Sequence, residues 1–376
     1  MMMITSKNKL TYILILSFIS FSVNFYYGSL GVLSIDTFAF FDSGFRVLNG
    51  DAPFKDYWTI SGPIIDYIQA LYFLIFGVNW NSYLLNGSII NLLLTVTCFN
   101  FFKNFGLDNK YSFFYSVCVA ILSNPSMGTP FPDHYSAFFS LMSIICFLHA
   151  VKYEKKIYWL LIPVLLFIAF FCKQTPASYV IIFFLFNFFL YSFIKKKNNF
   201  ILQIIYGTAI SAFFLIIFIL INEINIKSLV TQYFYYPRTI GVERISEWKL
   251  TFNKGVSTFK LIYLIFIPLL LIFFRKLFLN KNYIQKENFI LNLNILSLTI
   301  LFVIHQWLTL NFIFIFFMIP ILCAIVQINL KKNKFVKLIK IALLIFCLLA
   351  TFKYHLRFNE EKKMLNLESV DLSQYI

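Results

Sequence analysis

Long apolar runs alternate with short polar segments along almost the whole chain. Eleven of these runs are candidates for membrane spans, each of which needs about 20 apolar residues. The run 111–123 reaches that length only if its helix begins near Asn109. The pattern predicts an all-α polytopic membrane protein with about 11 transmembrane helices, at 10–33, 83–102, 111–123, 134–151, 157–172, 177–194, 200–222, 259–274, 288–304, 308–330 and 335–352.

Two further segments follow the first run and are too short or too polar to span. Fifteen residues of helix over 63–77 cover about 22 Å, less than the roughly 30 Å hydrocarbon core. We therefore predict an in-plane or re-entrant helix there, after Gly62 and Pro63. Residues 37–49 mix apolar and polar positions and predict a second interfacial helix, which Gly50 ends.

Basic residues cluster at alternate connections between the runs, provided that 63–77 does not span. Such clusters mark the cytoplasmic side of a membrane protein. The N-terminus is then expected inside, and the C-terminus outside. The clusters are Lys7/Lys9, Lys103/Lys110, Lys152/Lys155/Lys156, Lys195–Lys197, Arg275/Lys276/Lys281/Lys286 and Lys331/Lys332/Lys334/Lys337/Lys340.

The opposite, external face collects polar residues from segments that are distant in sequence. They are the acidic segment after the first run, the loop 124–133, Lys173, the loop 223–258 and a short turn at His305–Trp307. We predict a membrane domain over 1–352 and a short external tail over 353–376, which either has no further domain attached or is the start of a further C-terminal domain in a longer chain. A site on this face of the inner (plasma) membrane would face the exterior.

Composition agrees with this interpretation. Hydrophobic residues make up 60% of the 376, and the mean hydropathy is +0.78. The net charge of +16 is explained by the cytoplasmic clusters, and no basic stripe with interleaved aromatics indicates a nucleic-acid partner. The six cysteines include no C-x-x-C pair and read as small buried hydrophobic residues. No Walker or G-x-G-x-x-G motif is present.

Four of the 16 acidic residues fall within about twenty positions directly after the first apolar run. They are Asp36, Asp42, Asp51 and Asp56. Ionisable groups concentrated at one membrane edge indicate binding or chemistry there.

The motifs of this region resemble the first external loop of membrane glycosyltransferases of the GT-C class. The closest resemblance is to glycosyltransferase family 39, the protein mannosyltransferase and aminoarabinose transferase branch. The residues that carry it are Asp36, Gly50–Trp58 (G-D-A-P-F-K-D-Y-W), Gly62-Pro63 and Phe76-Gly77, and later Asp133 and Lys173. The resemblance covers roughly residues 10–190. Asp36 departs from the family in being followed by Thr37 rather than by a second acidic residue.

The resemblance implies a transfer reaction at the external face. A sugar would pass from a polyprenyl-phosphate donor to a glycan, lipid or protein acceptor, with inversion. Asp36 would accept the proton of the acceptor hydroxyl, and Asp133 would be the second catalytic carboxylate. Cationic side chains would stabilise the phosphate that leaves: Lys173, Arg238, Arg244 and Lys55. Asp56 and His134 would orient substrate, and Asp133 with His134 could hold a divalent cation.

Each residue also has a structural interpretation. Asp36 and Asp133 could cap helices, Asp56 could cap or pair with Lys55, and Lys173 could extend to lipid headgroups. Arg238 and Arg244 could belong to a solvated loop. Asp66 could face water, and His305 beside Trp307 fits an interfacial anchor.

Two other functions stay open. A transporter or lipid-carrier flippase would carry ionisable residues within its spans. A polysaccharide polymerase or ligase would carry a large, late external loop rich in Arg and His.

Overall fold

The computed structural model describes residues 2–31, 36–196, 198, 200–246, 249, 251–280, 282–330 and 335–363. These residues are mainly helical and include no β-strand. The α-helices in chain order are α1 (Met2–Ser29), α2 (Asp36–Leu48), α3 (Ile64–Phe76), α4 (Trp80–Asn104), α5 (Asn109–Ser123), α6 (Pro132–Tyr153), α7 (Lys156–Cys172), α8 (Gln174–Lys195), α9 (Ile201–Ile221), α10 (Ile226–Val230), α11 (Tyr236–Ser246), α12 (Lys260–Leu279), α13 (Glu287–Thr309), α14 (Met318–Asn329) and α15 (Val336–Lys363).

Seven helices of the described chain are long and apolar enough to cross a membrane. They are α4, α6, α8, α9, α12, α13 and the part of α1 from Lys9 to Ser29. Three more apolar helices, α3, α7 and α14, are shorter. The predicted all-α class is therefore confirmed, with apolar helices of the kind that multi-pass membrane proteins contain.

Several predicted boundaries agree with the helices observed. The mixed segment 37–49 forms α2, and Gly50 follows it with a φ of +98°, in the left-handed region where glycine is favoured. The short run 63–77 forms α3, which ends before Gly77. The run 111–123 does begin its helix at Asn109, because the Asp108 side chain accepts a hydrogen bond from the backbone N–H of Tyr111 and caps it.

The prediction of one helix over 308–330, preceded by a turn at 305–307, was wrong. Helix α13 continues to Thr309 and ends at Leu310, whose φ of 53° is left-handed. Residues 310–317 are then irregular, and α14 begins only at Met318. His305 therefore lies in the last turns of α13. The loop predicted over 223–258 also contains α10, α11 and two π-helical turns, and α15 continues without a break beyond residue 352.

The described chain divides into two compact units. The first comprises 1–45, 68–131 and 316–376, and in it α1, α4 and α5 pack together. Buried amides join these helices: Asn91 donates hydrogen bonds to the carbonyl oxygens of Ser20 and Ala120, 3.1 and 3.0 Å away. These bonds satisfy polar groups that would otherwise be buried unpaired.

The second unit comprises 46–67 and 132–315. Helix α6 is buried along most of its length and packs on α7, α8 and α13, while α9 packs on α7. Gly207 of α9 lies against the Leu160 carbonyl of α7, where a Cβ would approach within 2.2 Å of the oxygen. The side chains of Asn187 and Asn294 join α8 to α13 by a hydrogen bond of 2.9 Å.

Candidate functional site

A buried carboxylate at the start of α6 forms the centre of the candidate site. The Asp133 side chain is 1% exposed, and each of its oxygens has a partner from a different element. Oδ2 accepts a hydrogen bond from the ammonium of Lys173, and Oδ1 lies 3.0 Å from Nε2 of His305. We call these three residues the Asp133 cluster. The described contacts of its carboxylate oxygens are with side chains, rather than with backbone N–H groups that a helix cap would bind.

Lys173 is placed by the junction between α7 and α8. Its extended backbone (φ −159°, ψ 139°) separates the two helices. The backbone N–H donates to the carbonyl of Ala169, and the carbonyl accepts from the hydroxyl of Ser136 on α6. The side chain is 26% exposed, so Lys173 is partly accessible while its ammonium pairs with the buried carboxylate. Asp133 and Lys173, which the sequence analysis placed on the same side of the membrane, form an ion pair in the structure.

The sequence analysis interpreted His305 as an interfacial anchor and did not include it among the site residues. Rather than anchoring at an interface, its side chain is fully buried and contacts the rings of Tyr179 and Phe314. The available signal was its position: it belonged to the same predicted external group as Asp133 and Lys173. The sequence analysis placed His305 in a short turn after the helix. Helix α13 extends further than the hydropathy indicates, so the contact of His305 with Asp133 was not predicted.

The glycine-proline end of the first polar loop lies against the Lys173 junction. The N–H of Gly62 donates to the carbonyl of Cys172 at 3.3 Å. The side-chain amide of Gln174 donates to the carbonyls of Ile60 and Tyr233, at 2.9 and 2.8 Å. A Cβ on Gly62 would lie 1.7 Å from the Phe171 carbonyl oxygen, so only glycine allows this approach.

The same loop is held by the segment that follows α9. Gln232 accepts a hydrogen bond from the N–H of Thr59 at 3.0 Å and donates to the carbonyl of Phe54 at 3.2 Å. Phe54 and Tyr233 pack in a buried cluster with Phe171. The motif that resembles the glycosyltransferase loop is thus fixed to both the Lys173 junction and the 222–233 segment.

Asp66, which the sequence analysis allowed to face water, is buried. Its Oδ2 accepts a hydrogen bond of 2.7 Å from the hydroxyl of Tyr57, and the Tyr57 ring lies beneath the guanidinium of Arg46. Burial raises the pKa of Tyr57, and the neighbouring Asp66 carboxylate raises it further. This pair joins the start of α3 to the polar loop.

Lys55 and Asp56 both have local partners. Lys55 forms a 3.2 Å ion pair with Glu223 rather than with Asp56, and both side chains of this pair are exposed. The Asp56 side chain accepts a hydrogen bond of 2.8 Å from the backbone N–H of Ala52, which closes the turn of the loop. Asp51 lies 3.7 Å from Arg46. These contacts stabilise the loop and leave Lys55 on the surface.

The two arginines lie on α11, and both are exposed. Helix α11 contacts α13, the helix that carries His305. Neither arginine has a described hydrogen bond or ion pair with the Asp133 cluster.

His134 and Asp133 contact different groups in the structure. Both oxygens of Asp133 are occupied by hydrogen-bond donors, and the His134 ring packs on Phe138 and Phe314. Within the described ranges no group of three or more His, Cys, Asp or Glu residues is arranged to hold a metal ion. The side chain of Asp36, the predicted base, lies outside the described residues; its backbone begins α2.

An apolar groove runs along α13, the helix that carries His305. It lies between α12 and α13, has a volume of about 170 Å³, and is lined by Tyr263, Phe266, Thr299, Ile300, Val303, Ile304 and Trp307. Its lining on α13 consists of Thr299, Ile300, Val303, Ile304 and Trp307 and includes no member of the Asp133 cluster. An apolar groove of this kind is suited to a hydrocarbon chain.

Comparison with models of known protein families gave no match, and no curated protein matches the chain.

Proposed function

We propose that this protein is a membrane glycosyltransferase that moves a sugar from a polyprenyl-phosphate donor to an acceptor at the external face of the plasma membrane. One observation carries the proposal: the partly exposed Lys173 pairs with a buried carboxylate, at a junction fixed to the Gly50–Pro63 loop. This loop contains the motif that resembles family 39.

The chemistry of the leaving group fits these residues. When the bond between the anomeric carbon and the phosphate oxygen breaks, negative charge develops on the lipid phosphate. A cation held in a site of low dielectric stabilises this charge more than a solvated one does. Lys173 supplies that cation. Arg244, Arg238 and Lys55 are outer candidates for the same anion.

The acceptor would be activated by a carboxylate. A hydroxyl is a weak nucleophile at neutral pH, and a base within hydrogen-bond reach removes its proton as the new bond forms. The resemblance assigns this role to Asp36, and Asp133 is the second candidate. Attack on the anomeric carbon with a single base gives inversion.

The apolar groove between α12 and α13 supports a lipid-linked donor. Its lining is almost entirely hydrocarbon and aromatic, and it borders the helix that carries His305. A polyprenyl chain placed there would lie along the helix that carries His305.

The proposed topology has eleven spans. The seven long apolar helices, together with α5, α7, α14 and α15, give that number. With the N-terminus inside, the start of α6 and the ends of α7, α9 and α13 would all lie outside. The Asp133 cluster would then be external.

A transporter of a lipid-linked anion is the second candidate. It is favoured by the burial of Asp133 and His305 in helices that are long enough to span, since ionisable residues inside a membrane mark ion or substrate paths. Both residues lie in terminal turns, which favours chemistry at the membrane surface.

The test is transfer from a radiolabelled polyprenyl-phosphate sugar in membranes that contain the full chain or its Asp36→Asn variant. We expect transfer by the native chain and a loss of at least about 100-fold in the variant, at unchanged expression and insertion. Full activity of the variant would move the base to Asp133. Lipid-anion movement across vesicles without any transfer would establish the transporter instead.

A further inference from the structure

We propose that His305 is a positioning residue: it holds the Asp133 carboxylate in place and so allows Lys173 to release Asp133 and bind an anion. The role of the anion rests on the proposed function. The role of His305 in holding Asp133 does not.

The argument begins from the cost of burying Asp133. A carboxylate removed from water loses several kcal/mol of solvation unless partners compensate it. Asp133 has two such partners, Lys173 and His305. If Lys173 were the sole partner, turning it toward a ligand would leave the buried charge without a donor.

The two partners differ in their freedom to move. His305 is fully buried, and its ring is held by Tyr179 and Phe314. Lys173 is partly exposed and carries its charge on a flexible four-carbon chain. The arrangement therefore contains one fixed donor and one that can exchange.

The protonation pattern of His305 suits a fixed donor. A carboxylate only accepts hydrogen bonds, so Nε2 carries the proton that faces Asp133. Nδ1 is buried and has no hydrogen-bond partner among the described residues. With Lys173 already balancing the carboxylate, a neutral imidazole with its single proton on Nε2 fits the site.

When Lys173 moves to a phosphate, Asp133 keeps the His305 bond and stays in position. In a variant that lacks the imidazole, Asp133 would retain Lys173 as its one partner, and the phosphate would have to compete with the carboxylate for it. The loss of His305 should therefore weaken anion binding, although His305 itself would not contact the anion.

The first measurement is thermal unfolding of the full chain in detergent, for His305→Leu, Lys173→Met and the double variant. Either single change leaves Asp133 one donor, and the double change leaves none. We expect the double variant to lose more in Tm than the sum of the two single losses. The control is His149→Leu, which removes a buried imidazole of α6 whose ring lies against Tyr153 and Tyr158. When His149→Leu is combined with Lys173→Met, we expect the Tm loss to equal the sum of the two single losses. Additive losses for His305 and Lys173 would overturn the positioning role.

The second measurement is binding of geranyl phosphate, a short prenyl phosphate. We expect His305→Leu to weaken binding about tenfold, the effect of one lost charged hydrogen bond. His305→Gln keeps an N–H donor near Nε2 and should bind within about threefold of the native chain. Equal affinity for His305→Leu and the native chain would overturn the release of Lys173. If the native chain binds no prenyl phosphate, the proposed donor and that release both fail, while the unfolding cycle still decides whether His305 holds Asp133.

Discussion

Nε2 of His305 lies 3.0 Å from Oδ1 of Asp133, although 172 positions separate the two residues in sequence. The first belongs to the end of α13 and the second to the start of α6. A third element, the junction between α7 and α8, supplies Lys173 to the other carboxylate oxygen. Three chain segments thus converge on one buried charge.

Replacing Asp133 with Asn should abolish transfer. The substitution keeps the volume of the side chain, removes the charge that pairs with Lys173, and gives an amide that can donate toward the Lys173 ammonium or His305. We expect kcat to fall by about 100-fold or more, measured with a radiolabelled lipid-phosphate sugar. Asp51→Asn is the matched control, because its exposed pairing with Arg46 at 3.7 Å contributes little. Comparable losses in both variants would contradict a special role for Asp133.

Replacing Lys173 should reduce transfer far more than replacing Lys55, although the sequence analysis assigned both residues to the donor phosphate. Lys173→Met removes the cation of the Asp133 cluster, and we expect at least a tenfold loss of kcat/KM. Lys55→Met breaks an exposed ion pair with Glu223 and should change the free energy of unfolding by less than about 1 kcal/mol. Steady-state transfer kinetics check the first statement and chemical unfolding the second. Equal kinetic losses would place Lys55 in the site.

Gly62→Ala should displace the polar loop from the Lys173 junction. The added Cβ would lie 1.7 Å from the Phe171 carbonyl oxygen, a backbone atom that cannot turn aside. We expect the free energy of unfolding to fall by about 1–3 kcal/mol, with transfer reduced. Gly241→Ala is the control, since its Cβ would meet nothing within 4 Å and alanine favours a helix. The measurement is the unfolding curve of each variant. If Gly62→Ala has the free energy of unfolding of the native chain, the loop can shift freely.

Tyr57→Phe should destabilise the protein and reduce its sensitivity to alkali. The variant loses the 2.7 Å hydrogen bond to the buried Asp66, at a cost of about 1–2 kcal/mol. Burial and Asp66 raise the pKa of Tyr57 in the folded chain above its ordinary value of 10.0. Above pH 10 the unfolded chain therefore loses this proton first, and stability falls as pH rises.

The measurement is Tm as a function of pH for the native chain and Tyr57→Phe. Below pH 10 the difference between the two should be constant. At higher pH the difference should shrink, because the variant lacks this titrating group. Parallel curves up to pH 11 would show that Tyr57 ionises as readily in the folded chain as in the unfolded one.

Local signals in the sequence determined the fold class and many of the helix boundaries. The apolar runs indicated helices of membrane length, since length and composition decide this directly. The helix end at Gly50 and the helix start near Asn109 could be predicted because such boundaries depend on residues only a few positions away. The same signals placed Asp133 and Lys173 among the candidates, through their positions between runs and the family resemblance.

Tertiary structure alone decided which side chains meet. Hydropathy ended α13 before His305, but the helix continues to Thr309, and the burial of His305 depends on packing against Tyr179 and Phe314. Asp66 looked suited to water, yet Tyr57 satisfies it in the interior. Lys55 and Lys173 were both candidates for binding the donor phosphate, but their environments in the structure differ. Such pairings join residues far apart in the chain, and their energies depend on burial and distance, which the order of residues does not contain.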